Sequence, residues 1–159
     1  MIYVLDTNII RTLLRFFPKK GKRYEEVWIK IDEKINTGVL ISVDECYNEL
    51  IKQFSDQTEE YKWFHGHKKM FLNPDNEESL IIKQLLINPK MRETFHQKNI
   101  LENRPSADVY LAAKAKVLGA TIVTEETFKP NSAQLPNLCK ELNVACISYD
   151  DFMAALEDI

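Results

Sequence analysis

A chain of 159 residues is long enough for one hydrophobic core that buries roughly two-thirds of the unfolded surface, so folding needs neither disulfides nor a structural metal. With 45% hydrophobic and 28% charged residues and only four glycines, it is not disordered, fibrous or built on repeated tight β-turns. Its 21 basic and 24 acidic residues leave a net charge of -3, which excludes a global pull toward nucleic acid or anionic membrane. Any polyanion has to be gripped locally.

The run Ile2–Leu5, β-branched and aromatic, predicts a buried strand at the N-terminus. It ends in Asp6-Thr7-Asn8, all cap-type residues, after which Ile9, Ile10, Leu13, Leu14 and Phe17 recur at helical spacing. Asp6 to Asn8 therefore sit where a strand gives way to a helix, the usual ligand edge of an α/β sheet. A second helix is expected from Tyr24 to Ile35, carrying Val27, Trp28 and Ile31 and closed by Asn36-Thr37-Gly38. Val39–Val43 reads as the second strand, with a helix from Asp44 to about Phe54.

Residues 56–104 are rich in helix formers and poor in strand signal, and predict two or three helices broken at Asn73-Pro74 and Asn88-Pro89. A helix from Pro105 to Leu118 follows, with Ala107, Leu111, Ala112 and Ala115 on one face and Gly119 ending it. Ala120–Thr124 is the third strand, Leu135–Leu142 a helix, Val144–Ile147 the fourth strand, and Asp150–Leu156 a closing helix. Strands separated by helices require right-handed crossovers. The expected fold class is α/β, a three-layer α/β/α sandwich on a parallel sheet of four to five strands. No repeat or linker divides the chain, so one domain over 1–159 is expected, with 56–104 as a helical insertion.

No run approaches the roughly 18 apolar residues of a membrane helix, and Asp6, Asn8 and Arg11 interrupt the apolar start, so neither a membrane span nor a signal peptide is expected. Cys46, Cys139 and Cys146 lack CxxC spacing and read as buried thiols of a cytoplasmic protein, a Cys139–Cys146 disulfide being the alternative. Basic residues crowd the start: Arg11, Arg15, Lys19, Lys20, Lys22 and Arg23 stand against Asp6 alone before residue 25, and nothing basic follows Lys140. A solvated helix face and loop accounts for that cluster, and phosphate binding is the functional alternative. His65-Gly66-His67 looks like a metal pair but lacks a third ligand nearby, and reads as surface. Tyr61, Trp63, Phe64 and Phe71 read as helix packing or a partner interface.

Four acidic positions follow strands or open helices: Asp6, Glu49, Asp108 and the pair Glu125-Glu126. In a parallel sheet such positions converge on one edge, where carboxylates about 4 Å apart repel by roughly 1 kcal/mol in water and about 4 at an effective dielectric of 20. A hard divalent cation removes the conflict, and an oxygen-only donor set suits Mg²⁺ or Mn²⁺ rather than zinc. Taken singly, each acid also has an ordinary reading: Asp6 as a helix cap, Glu49 as a solvated helix residue, Asp108 as a favourable charge at a helix start.

Asp6-x-Asn8 after the first strand, Ser42–Leu50 with Glu49-Leu50, Asp108 leading Tyr110–Ala115, and Val123–Glu126 together resemble the four ordered acidic motifs of PIN-domain ribonucleases, over essentially the whole chain. Val123–Glu126, Pro136–Cys139 and Val144–Cys146 are similar to a branch of VapC-like PIN proteins labelled as a domain of unknown function. The resemblance implies a metal-dependent endoribonuclease, the toxin of a type II toxin–antitoxin pair, with an antitoxin protein as partner, RNA as substrate and homodimers common in such families. It implies Asp6, Glu49, Asp108 and Glu126 as catalytic metal ligands for Mg²⁺ or Mn²⁺, with Asn8 and Thr124 orienting them and Glu125 as the alternative fourth acid. Arg11, Arg15, Lys19, Lys20, Lys22 and Arg23 are then candidates for the RNA backbone. Two departures stand out: the fourth acid is Glu where many relatives carry Asp or Asn, which leaves one or two metals open, and residues 56–104 are longer than in compact toxins. A non-catalytic PIN-like binding module and a phosphatase with an aspartate nucleophile are the alternatives. The phosphatase would want a second acid where Asn8 stands.

Overall fold

The computed structural model describes residues 1–89, 91, 106–130 and 134–157. Five parallel strands, β1 (Tyr3–Leu5), β2 (Leu40–Val43), β3 (Phe71–Leu72), β4 (Thr121–Val123) and β5 (Cys146–Ile147), pair in the order β3-β2-β1-β4-β5. Every residue of β1, β2 and β4 is buried, as strands covered by helices on both faces must be. The architecture is the expected α/β sandwich. Ser42, the polar residue inside β2, is accommodated because its hydroxyl donates to the Leu5 carbonyl at 2.7 Å.

The helices are α1 (Thr7–Phe16), α2 (Glu25–Asn36), α3 (Asp44–Gln53), α4 (Glu59–Gly66), α5 (Asn76–Ile87), α6 (Ala107–Leu118), α7 (Leu135–Leu142) and α8 (Tyr149–Glu157). α1 starts where its sequence places it: Asp6 is the N-cap and its carboxylate accepts from the Thr7 amide at 2.7 Å. α6 is buried along most of its length because small residues, Ala107, Ala112, Ala113 and Ala115, let it lie close against β1, β2 and β4. It ends at Gly119, whose φ of 62° is the left-handed cap conformation that glycine adopts without strain. Pro105, the expected start of this helix, lies outside the described residues, as does the segment leading to it.

One strand differs from the sequence expectation. Phe71–Leu72 joins the edge of the sheet beside β2, inside a stretch read as helical. At two residues it is too short to show alternation, and the lysines before it favour a helical reading. The expected break at Asn73-Pro74 falls between β3 and α5, and Asn88 caps α5. The aromatic group packs internally: Trp63 lies 4.7 Å from Trp28, and Tyr61 5.3 Å from Phe64, measured between ring centroids. All three cysteines are free thiols. Among the described residues no helix is long and apolar enough to cross a membrane.

Candidate metal centre

The C-terminal ends of β1 and β4 are adjacent, so the residues just beyond them, Asp6 and Thr124 to Glu126, emerge side by side. The first turn of α6 brings Asp108 to the same place. Asp6, Asp108 and Glu126 each offer a carboxylate oxygen within 4.8 Å of the others, and the first two are buried. Glu49 stands next to this trio rather than in it: its Oε2 accepts from the Thr7 hydroxyl at 2.6 Å. Thr7, the residue after Asp6, thus ties the second acidic motif to the first. Sequence reasoning had no signal for this, since a threonine at the start of a helix is unremarkable.

Thr124 orients the centre. Its hydroxyl donates to Asp6 Oδ2 at 2.8 Å and accepts from Asn8 Nδ2 at 3.4 Å and the Glu126 amide at 3.1 Å. One donor and two acceptors is the full capacity of a hydroxyl, so its proton is committed to Asp6. Asn8 in turn accepts from the Glu125 amide at 3.3 Å, which pins the turn after β4. The two adjacent glutamates diverge there. Glu126 joins the trio and accepts from the Leu135 amide at the start of α7, whereas Glu125 is exposed and accepts from the Thr12 hydroxyl.

Burial, together with Asp108 and Glu126 nearby, raises the Asp6 carboxyl from its ordinary 3.8 to about 7, against the opposing bonds from Thr124 and Thr7. The Cys46 thiol, fully buried, is pushed up chiefly by desolvation and further by Asp6. An all-oxygen donor set of three carboxylates, one of them raised well above the usual carboxylate range by burial and by its acidic neighbours, fits a hard divalent cation. At the N-cap of α6, two residues before Asp108, the buried Ser106 hydroxyl has no hydrogen-bond partner among the described residues.

The remaining sequence candidates lie elsewhere. Arg11 and Arg15 are exposed on α1. α1 is about 15 Å long, so the loop carrying Lys19, Lys20, Lys22 and Arg23 leaves it at the end remote from Asp6. Two of those cations rest on aromatic rings, Lys19 over Trp28 at 4.5 Å and Arg23 over Tyr24 at 5.3 Å. The histidines do not converge on a metal: His65 Nδ1 bonds the Tyr47 hydroxyl, and His67 bonds the Trp63 carbonyl and Asp32.

Residues 3–158 match the family described as Domain of unknown function (DUF4411), and the chain belongs to that family. Its fold is that of the PIN domain. Among solved structures, VapBC2 from Rickettsia felis, crystallised bound to a DNA fragment from its promoter, aligns with a TM-score of 0.51 at 13% identity, covering 93% of this chain and 98% of that one. FitAcB from Neisseria gonorrhoeae aligns with a TM-score of 0.50 at 18% identity, again covering 93% and 98%. No curated protein sequence matches the chain.

Proposed function

We propose that this protein is a Mg²⁺- or Mn²⁺-dependent endoribonuclease that hydrolyses RNA phosphodiester bonds, and that it is the cytoplasmic toxin of a toxin–antitoxin pair. The observation that carries the catalytic part is the convergence of Asp6, Asp108 and Glu126 within 4.8 Å at the C-terminal edge of the sheet. The antitoxin part is supported by the likeness of the motifs to VapC-like PIN proteins. On this reading residues 1–159 act as one domain.

Asp6, Asp108 and Glu126 would hold the cation, with Glu49 beside them. A divalent cation held there would supply charge neutralisation at the phosphodiester and would lower the pKa of water so that hydroxide is available near neutral pH. The protein's own part is positioning. The Thr7 amide and the Thr124 hydroxyl each take one lone pair of the two Asp6 oxygens, which fixes the plane of that carboxylate. Thr7 holds Glu49 by the same turn of chain, and Asn8 holds Thr124. Arg11 and Arg15, exposed on α1, would be the residues that meet backbone phosphates without reading sequence.

The purified chain, freed of any partner, is expected to cut single-stranded RNA with Mg²⁺ or Mn²⁺, to stop in excess EDTA, and to lose activity on Asp6→Asn. RNA left intact with either metal, or cleavage undiminished by the chelator, overturns the assignment.

A further inference from the structure

Beside the acidic trio, and sharing only Glu126 with it, lies a pocket of about 480 Å³ that no step of the proposed reaction uses. That volume is ordinary for a small-molecule site. It opens between the ends of β4 and β5, and its walls are unusually aromatic for a surface: Phe16 is 56% and Phe128 50% exposed, and Tyr149 lies 5.8 Å from Phe16 between ring centroids. Exposed aromatic side chains lose hydrophobic stabilisation unless something covers them. Phe16 belongs to the pocket because it lies one helical turn beyond Thr12, the residue that bonds Glu125.

The polar groups on the same walls define what fits. Asp150 is exposed at the start of α8, and its carboxylate has no hydrogen-bond partner among the described residues. Glu125 commits only Oε1, to Thr12. Desolvation, reinforced by the negative charges of Asp150 and Glu125, holds the Tyr149 phenol above its usual range. Carboxylates reject a phosphate and accept N–H groups, and a planar ring with adjacent N–H donors matches both the aromatic walls and the acceptors. Guanine is the nucleobase whose Watson–Crick edge presents such a pair, N1–H and N2–H₂, to a single carboxylate. Lys140 rests its Nζ 4.9 Å from the Phe128 ring centroid, so a positive charge lies next to one of the aromatic walls.

We propose that the pocket between Phe16, Phe128 and Tyr149 is a nucleobase subsite that takes a guanine flanking the phosphate held at the Asp6–Asp108–Glu126 centre, with Glu125 and Asp150 as its hydrogen-bond acceptors. The proposal deepens the ribonuclease reading and rests on it for the position of the phosphate. It makes Glu125 a specificity residue rather than a metal ligand.

The test is titration of the protein with GMP, AMP, CMP and UMP in Mg²⁺, followed by the aromatic NMR resonances. The four share a phosphate, so differences report the base. GMP is expected to shift Phe16, Phe128 and Tyr149 and to bind several-fold tighter than UMP. Phe128→Ala should weaken GMP binding by roughly tenfold, and Asp150→Asn should narrow the margin over UMP; both side chains are at the surface, so the fold is retained. Equal binding of all four nucleotides, or no movement of these rings with any of them, overturns the subsite and leaves the pocket to a protein partner. RNA cleavage by the unaltered chain and by Asp6→Asn is scored separately: cleavage without ring shifts removes the subsite alone, and ring shifts without cleavage remove the nuclease reading alone.

Discussion

The molecule buries carboxylates in two places and treats them in opposite ways. Between α5 and α6, Glu78 is 2% exposed and is met by Lys114 at 2.6 Å, the lysine itself being 5% exposed and bonded also to the Asn73 carbonyl. At the sheet edge, Asp6 is equally buried, but its described partners are a hydroxyl and an amide, and its charged neighbours are two further acids. A buried charge is tolerated only with a partner. At Glu78 the chain supplies that partner; the charged groups acting on Asp6 are two further acids, an arrangement that suits a cation from solution. The contrast separates a structural ion pair from a candidate metal site within one fold.

The largest effect that could break this contrast is on the structural pair. Lys114→Met removes the counter-charge from Glu78 and is expected to lower the unfolding free energy by about 3–5 kcal/mol in urea denaturation. Adding Glu78→Leu should return much of that loss, because the orphaned charge goes too. A Lys114→Met protein as stable as the parent would mean that Glu78 is not held as an ion.

The acidic centre should respond to pH in a way the pair does not. Asp6 has a folded pKa of about 7 against 3.8 for the ordinary carboxyl. The folded state therefore binds its proton more tightly than the unfolded state does. This stabilisation is complete below about pH 4 and is lost as pH rises through 7, a change of a few kcal/mol. Thermal unfolding of metal-free protein is expected to show that decline, Asp6→Asn to flatten it, and Mg²⁺ to stabilise more at pH 8 than at pH 5. A metal-free protein whose stability difference from Asp6→Asn is flat between pH 4 and 8 would contradict the frustrated-carboxylate account.

A smaller effect distinguishes the adjacent glutamates. Glu126→Gln should reduce RNA cleavage at limiting Mg²⁺ far more than Glu125→Gln, with partial rescue at high metal. The reverse ranking would move the ligand to Glu125, and equal, undiminished activity in both would remove a fourth acid altogether.

The sheet, its crossovers and the strand-end position of Asp6 were legible because they depend on local pattern: a short apolar run, cap residues, then helical spacing. The convergence of Asp108 and Glu126 on Asp6 was accessible only as an expectation from strand-end geometry and motif order, since they lie over a hundred residues along the chain. Three features had no sequence signal. β3 is two residues long, Thr7 looks like any helix-start threonine, and Lys114 sits in an alanine-rich helix where a lysine ordinarily points to solvent. Each is decided by what another segment places opposite it. The basic residues show the converse: clustering in sequence at Lys19–Arg23 did not become clustering at the acidic edge, because α1 carries that loop away and aromatic rings take up two of the cations.

The central claim is that the Asp6 centre takes its cation from solution. Calorimetric titration of metal-free protein with Mn²⁺ at pH 7.5 tests it most directly, with Asp6→Asn and Glu125→Gln alongside. The account predicts saturable Mn²⁺ binding in the unaltered chain, retained in Glu125→Gln and lost in Asp6→Asn. Binding that survives Asp6→Asn undiminished, or no binding to the unaltered chain, would contradict it.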